Sequence, residues 1–154
     1  MVISDVLDRQ IDEVEKVVHA KIKLTRAYKK ILTVNGIGKI FALTIMLETG
    51  EISRFSQVGN YLSYCRLVDS ERKNNGKKKG ENNTKNGNKY LCWTYIEAAN
   101  FAIRNNEIIK SYYQRKFKKT NRIVAIKTVA NKLARACYYI LRDGVVFDVN
   151  KSFV

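Results

Sequence analysis

Residues 31–45 read Ile-Leu-Thr-Val-Asn-Gly-Ile-Gly-Lys-Ile-Phe-Ala-Leu-Thr-Ile, and the fold turns on this stretch. Apolar residues Ile31, Leu32 and Val34 finish one segment, Gly36-Ile37-Gly38 makes a turn, and apolar spacing resumes from Lys39 to Glu48. Small Ala42 falls where two helices would approach closely. The glycines matter because the backbone must reverse sharply and present its N–H groups with no Cβ in the way. This is the spacing of a helix-hairpin-helix. Amides at the start of its second helix sit at the positive end of a helix dipole, where an anion is favoured, and Lys39 adds a point charge. A contact of that kind reads the phosphate backbone and not base sequence. The same residues also suit a plain tight turn between helices with no ligand.

Upstream, Ile3, Leu7, Ile11, Val14, Val18, Ile22 and Leu24 recur at steps of mostly three and four, which predicts one amphipathic helix over residues 3 to about 30. Ser4 or Asp5 can cap it, and Asp5, Asp8, Asp12, Glu13 and Glu15 suit the positive end of its dipole. The spacing is close to a heptad, so the segment suits a coiled coil and equally a helix packed on its own domain. Downstream, Gly50 ends the second helix of the hairpin, and Ser53 can cap a short helix from about Arg54 to Tyr64. Further helices are expected over Tyr90–Asn105, Glu107 to about Lys118, and Ile123–Arg142, with Asp143-Gly144 as a stop and the tail Val145–Val149 as a short extended piece. No alternating strand series is visible. The expected fold class is all-α, with residues 1–30 as an amphipathic element and 31–154 as a helical domain.

Between Arg66 and Lys89 runs a basic loop, RLVDSERKNNGKKKGENNTKNGNK. Arg66, Arg72, Lys73, Lys77, Lys78, Lys79, Lys85 and Lys89 face only Asp69, Glu71 and Glu81, and Gly76, Gly80 and Gly87 break the run. Such a segment cannot bury itself, and its cations repel one another until a polyanion neutralises them. A solvated surface loop has the same composition, but here both ends are fixed by helices. The candidate nucleic-acid contacts are therefore Gly36, Ile37, Gly38 and Lys39 in the turn, and Arg72, Lys73, Lys77, Lys78, Lys79, Lys85, Asn88 and Lys89 in the loop.

The whole chain supports that partner. Its 154 residues carry 29 Lys and Arg against 14 Asp and Glu, a net charge of +15 that attracts nucleic acid or an anionic membrane. No apolar run reaches the roughly 18 residues that span a bilayer, and the acidic start does not resemble a signal peptide. Cys65, Cys92 and Cys137 form an odd set without metal-ligand spacing, which suits a reducing cytoplasm. Catalytic constellations are weak. His19 is the only histidine, and Glu48, Glu51, Asp69, Glu71 and Glu97 are scattered, whereas a two-metal nuclease needs clustered carboxylates. Glu97, in an apolar helix, is expected to form a partly buried ion pair. The tyrosines could stack on bases, but at helical spacing they read as core.

The stretches LTVNGIGKIFALTIMLETGEISRFSQVGNYLSYCRLV, NNGKKKGENNTKNGNKYLCWTYIEAANFAIR and VAIKTVANKLARACYYIL together resemble the C-terminal transposase domain of the insertion-sequence 110/116/902 group, the bridge-RNA-guided transposases. The resemblance runs from about Ile31 to Leu141. It implies DNA transposition by strand exchange, with DNA and a guide RNA as partners. It also implies a serine of this domain as nucleophile, with carboxylates and magnesium supplied by a separate nuclease domain across a coiled coil. In the family pattern the serine stands just before the glycine of a Ser-(x)-Gly-Lys element. Here that element is Lys73-Asn74-Asn75-Gly76-Lys77, so the position falls at Asn74 or Asn75, with Ser70 nearby but at another point of the pattern. An amide cannot act as a hydroxyl nucleophile. The residue before Gly36, usually proline in the family, is Asn35. The expectation is a nucleic-acid-binding transposase domain, inactive alone, holding no cofactor or metal of its own, and joined to a second copy or to a nuclease partner through residues 1–30. The rival readings are a non-enzymatic helix-hairpin-helix module binding DNA or RNA, and an accessory subunit of a split transposase.

Overall fold

The computed structural model describes residues 2–23, 25–68, 71–74, 77–81 and 86–154, with side chains for 6–17, 25–68 and 86–154 of these. The fold is all-α. Its elements in order are α1 (Val2–Lys23), α2 (Arg26–Ile31), α3 (Lys39–Thr49), a 3-10 turn (Ile52–Arg54), α4 (Val58–Tyr64), strands β1 (Glu71–Asn74) and β2 (Lys77–Glu81), then α5 (Lys89–Asn105), α6 (Glu107–Phe117), α7 (Arg122–Asp143) and α8 (Val149–Phe153).

Without proline, the starts of the last four helices are made by short polar side chains. Asn88 caps α5, Asn106 caps α6, Asn121 caps α7 and Asp148 caps α8, each accepting from backbone N–H groups of the first turn that have no partner inside the helix. Asn106 is extended (φ −138°) and is at once the C-cap of α5 and the N-cap of α6, so the two helices meet at a corner with a single residue between them. Gly144, left-handed at φ 65°, ends α7 as expected.

The core forms around α7, which packs on α5, α6, α4 and α2. Small residues allow this. Ala98, Ala99 and Ala102 of α5, and Ala130 and Ala134 of α7, have no exposed surface, so the helix backbones come close and larger neighbours such as Leu91, Leu133 and Ile109 fill between them. One chain of hydroxyls crosses the apolar interior. Thr49 Oγ1 lies 3.0 Å from Tyr61 Oη, and Tyr61 Oη lies 2.7 Å from Tyr95 Oη. Tyr138 donates to the Phe55 carbonyl at 3.0 Å.

Four local expectations are corrected. The single helix over residues 3–30 is two helices, because Thr25 takes an extended conformation (φ −80°, ψ 135°) and its hydroxyl accepts from the Tyr28 amide to start α2. Ser53 does not cap a helix from Arg54. It lies inside the 3-10 turn, and α4 starts after Gln57 with no side-chain cap. The basic loop contains an antiparallel ribbon. The tail is irregular only through Asp148, after which α8 returns Phe153 to the core against Tyr112, with ring centroids 5.4 Å apart.

Candidate nucleic-acid interface

The turn of residues 32–38 divides its four candidate residues into two pairs. Gly36 has φ +84°, and a Cβ there would stand 2.1 Å from the Ala98 carbonyl oxygen and 2.8 Å from the Ala102 amide nitrogen. The backbone of α5 fills the space that a phosphate would need at that point. Ile37 beside it belongs to the core. Gly38 is different. It caps α3 with no side-chain hydrogen bond, and a Cβ added there meets nothing within 4 Å. The open positive end of α3 and the exposed Lys39 therefore point to solvent at the same place.

The basic segment rises from the junction of α4 and α5 as a ribbon. β1 and β2 pair antiparallel with Glu71 opposite Glu81, Lys73 opposite Lys78 and Asn74 opposite Lys77, and the register shifts between Glu71 and Lys73. Arg72, Lys73, Lys77, Lys78 and Lys79 all lie on these strands. Lys85, Asn75 and Ser70 lie outside the described residues, while Asn74 ends β1. Where the segment leaves and re-enters the helical body, it is fastened. The Asn88 amide donates to the Tyr64 carbonyl at 2.6 Å, and Asn131 of α7 donates to the Leu67 carbonyl at 3.0 Å. Asn88 itself is fully engaged. Its side-chain oxygen accepts from the Tyr90 and Leu91 amides at 2.9 Å each, and its Nδ2 donates to Glu48 Oε2 at 2.5 Å and to Tyr64 Oη at 3.3 Å. Asn88 thus ties α3, α4 and α5 together, and Lys89 next to it is exposed, with Nζ 5.0 Å from the Tyr90 ring centroid.

Between the α3 start and the ribbon foot lies a surface that periodicity did not reveal. Phe41 packs edge-on against Trp93 at 5.7 Å and tilts against Phe101 at 6.1 Å, yet Trp93 is 55% exposed and Ile40 is 70% exposed. Trp93, Glu97 and Phe101 repeat every four residues on one outer face of α5. That step was the available signal, but in sequence it merges with the core stripe of the same helix. Glu97 on this face pairs with no cation among the described residues. Of the tyrosines, Tyr61, Tyr95 and Tyr138 are wholly buried, whereas Tyr90 is exposed.

The described residues hold no group of His, Cys, Asp and Glu able to bind a metal ion, and no helix among them is long and apolar enough to cross a membrane. Cys65, Cys92 and Cys137 are free. Burial pushes the Cys137 thiol up to about 12 and the Cys65 thiol higher still, so both remain inert thiols at neutral pH.

No curated protein matches the chain. The model of the Transposase IS116/IS110/IS902 family matches residues 28–114, a span that opens in α2, includes the Gly36–Lys39 turn and the whole basic ribbon, and closes in α6. With more than half of its length inside that match, the chain belongs to the IS116/IS110/IS902 family of transposases.

Proposed function

We propose that this chain is a DNA-binding transposase domain whose contact surface is the basic ribbon together with the open end of α3. The observation that carries the reading is the ribbon register, which sets Lys73 opposite Lys78. Like charges facing each other disfavour a two-stranded pair in water and favour it against phosphates. A two-stranded ribbon also fits the major groove of a DNA duplex. Gly38, Lys39 and Lys89 supply further phosphate contacts at the ribbon foot, in the manner of a helix-hairpin-helix, while Gly36, Ile37 and Asn88 hold the frame.

The test is a titration of duplex DNA at several salt concentrations. A surface meeting about six to ten phosphates loses roughly 10³- to 10⁵-fold in affinity between about 50 and 200 mM salt. Replacing Lys77, Lys78 and Lys79 with alanine should reduce the logarithmic salt slope by about 2.7. An unchanged slope in the triple variant removes the ribbon from the interface.

In this reading the chain binds DNA but does not cut it alone, because Asn74 and Asn75 stand at the family's serine position. Magnesium and its carboxylates belong to a nuclease domain that would join through α1. The expected result with DNA and magnesium is no covalent adduct on a denaturing gel. A band that survives denaturation would show another hydroxyl, Ser70 first, acting as nucleophile.

A further inference from the structure

On α6 and α7 four cations converge, and none of them forms an ion pair with an acid among the described residues. Three of them surround one ring. Arg115 Cζ, Lys116 Nζ and Lys132 Nζ lie 5.7, 5.6 and 5.4 Å from the Tyr112 centroid. Arg135 follows one turn after Lys132 on α7, and partial desolvation, with the added charges of Arg135 and Lys116, favours the neutral form of Lys132. The nearest acids are committed elsewhere. Both oxygens of Asp143 accept from Arg142, at 2.7 and 2.8 Å, and Asp148 Oδ1 accepts from the amides of Asn150 and Lys151. Cations held this close to one another outnumber the two carboxylates beside them, Asp143 and Asp148, and none of the four forms an ion pair with an acid among the described residues, so an anion there lowers the energy.

Lys132 and Arg135 also form one wall of a cavity of about 360 Å³ between the end of α7 and the tail. Its other walls include Tyr139, Ile140, Phe147 and Lys151, and the engaged carboxylates of Asp143 and Asp148 also line it. Tyr139 and Phe147 are only half-buried. An apolar slot with two aromatic walls and cations along its rim matches an unpaired base whose neighbouring phosphates lie outside. A duplex could not use it, because its bases are stacked and paired.

We propose that this α6–α7–α8 surface binds a single-stranded nucleic-acid segment. One base enters the cavity beside Tyr139 and Phe147, and the flanking phosphates lie on Lys132, Arg135 and Lys116. The surface lies largely outside the span that matches the family, since α7 and α8 follow residue 114. It adjoins the ribbon through α7, where Asn131 holds the ribbon foot at the Leu67 carbonyl and Lys132, the next residue, turns to Tyr112. A strand separated from a duplex on the ribbon would reach the cavity by running along that one helix, since Asn131 and Arg135 lie one turn apart on it. The inference deepens the proposed function by taking nucleic acid as the polyanion.

The probes are fluorescein-labelled dT12, rU12 and a duplex, titrated against the full chain, against Lys132→Ala/Arg135→Ala, against Phe147→Leu, and against the Lys77, Lys78 and Lys79 alanine triple. Leucine keeps apolar volume at Phe147, so α8 stays docked, and circular dichroism checks each variant. For the single strands, the Lys132/Arg135 variant should lower the logarithmic salt slope by about 1.4. Phe147→Leu should weaken single-strand binding about fivefold or more, as loss of base stacking does. Both variants should bind the duplex as the parent does, and the triple should do the reverse. Binding of dT12 and rU12 with equal affinity assigns the site to the phosphate and base, and a preference for rU12 assigns it to RNA through the 2′-hydroxyl. Single-strand binding that falls only in the triple variant overturns this inference and leaves the ribbon reading intact. Loss of duplex binding in none of the variants overturns the ribbon reading instead.

Discussion

Arg66 reaches across the foot of the basic ribbon to Gly87. Its Nη2 and Nε donate to the Gly87 carbonyl oxygen at 2.8 and 3.2 Å, bridging 21 residues of sequence. Arg66 does so from a left-handed backbone (φ 57°), rare for a residue with a side chain, and Gly87 is left-handed as well (φ 99°). The cationic segment is therefore carried on a closed stem fixed to α4 and α5, and not on a free loop.

Opening that stem should cost binding more than stability. Arg66→Ala removes the bridge from a half-exposed site, so the melting temperature should move by only a few degrees. Duplex affinity should fall further than the loss of one charge explains, because the ribbon loses its orientation. Gly87→Ala is the harsher change, since its Cβ would stand 2.5 Å from the Tyr64 carbonyl oxygen. It should destabilise by about 2 kcal/mol or more. Thermal melts paired with anisotropy titrations separate the two effects.

The two glycines of the first turn should respond in opposite ways. Gly36→Ala forces a Cβ into the α5 backbone at a positive φ and should cost about 3 kcal/mol or more, with folding lost if α5 cannot move. Gly38→Ala meets open space, and only its poorer capping is felt, about 1 kcal/mol or less. Urea denaturation of both variants checks this. Equal costs would contradict the division of the turn into a buried frame and an open helix start.

Alkali should unfold the protein before it titrates the buried tyrosines. Burial raises Tyr61 and Tyr95 well above their ordinary 10.0, and raises Cys137 from 9.0 to about 12. The folded state thus keeps protons that the unfolded chain releases. This contribution is fully present below about pH 9 and is lost as pH rises through the folded values. Cys137 alone should cost on the order of 2 kcal/mol near pH 10.5. Melting temperature should be flat from about pH 7 to 8.5 as far as these groups contribute, then fall. In ultraviolet titration Tyr61 and Tyr95 should ionise only with unfolding. Smooth ionisation of every tyrosine near pH 10 in a folded sample would contradict the buried hydroxyl chain.

Over residues 6–17, helix α1 leaves its apolar side chains exposed. Val6, Leu7, Ile11, Val14 and Val17 are about half exposed or more, the highest being Val14 at 62%. A heptad-like stripe in water favours a partner helix. We expect the intact chain to sediment as an oligomer at micromolar concentration, and Leu7→Asp/Val14→Asp to sediment as a monomer with an unchanged melting temperature. A monomeric parent at high concentration would end this expectation.

The sequence alone determined the all-α class, the helices α5, α6 and α7 to within a residue or two, the Gly144 stop, the basic segment and the family. These follow from local rules. Apolar residues at steps of three and four define a helix wherever they run, asparagine caps and a glycine stop set its ends, and a cationic run is visible without any fold. The ribbon was half legible. Asn75-Gly76 between two runs is a two-residue hairpin signal, but strands made of lysine lack the apolar alternation that makes such a signal readable. The break at Thr25 was hidden because the apolar step continues across it. Tertiary structure decided what no local pattern encodes. It put Gly36 against α5 and left Gly38 open, although the two glycines look alike in sequence. It set Asn88 to bind three helices, and it left Trp93 outside while Tyr95 went in. It also gathered Arg115, Lys116 and Lys132 around Tyr112 from two helices. The physical reason is that a residue's partner is fixed by which helix crosses it, and crossings depend on packing between segments far apart in the chain.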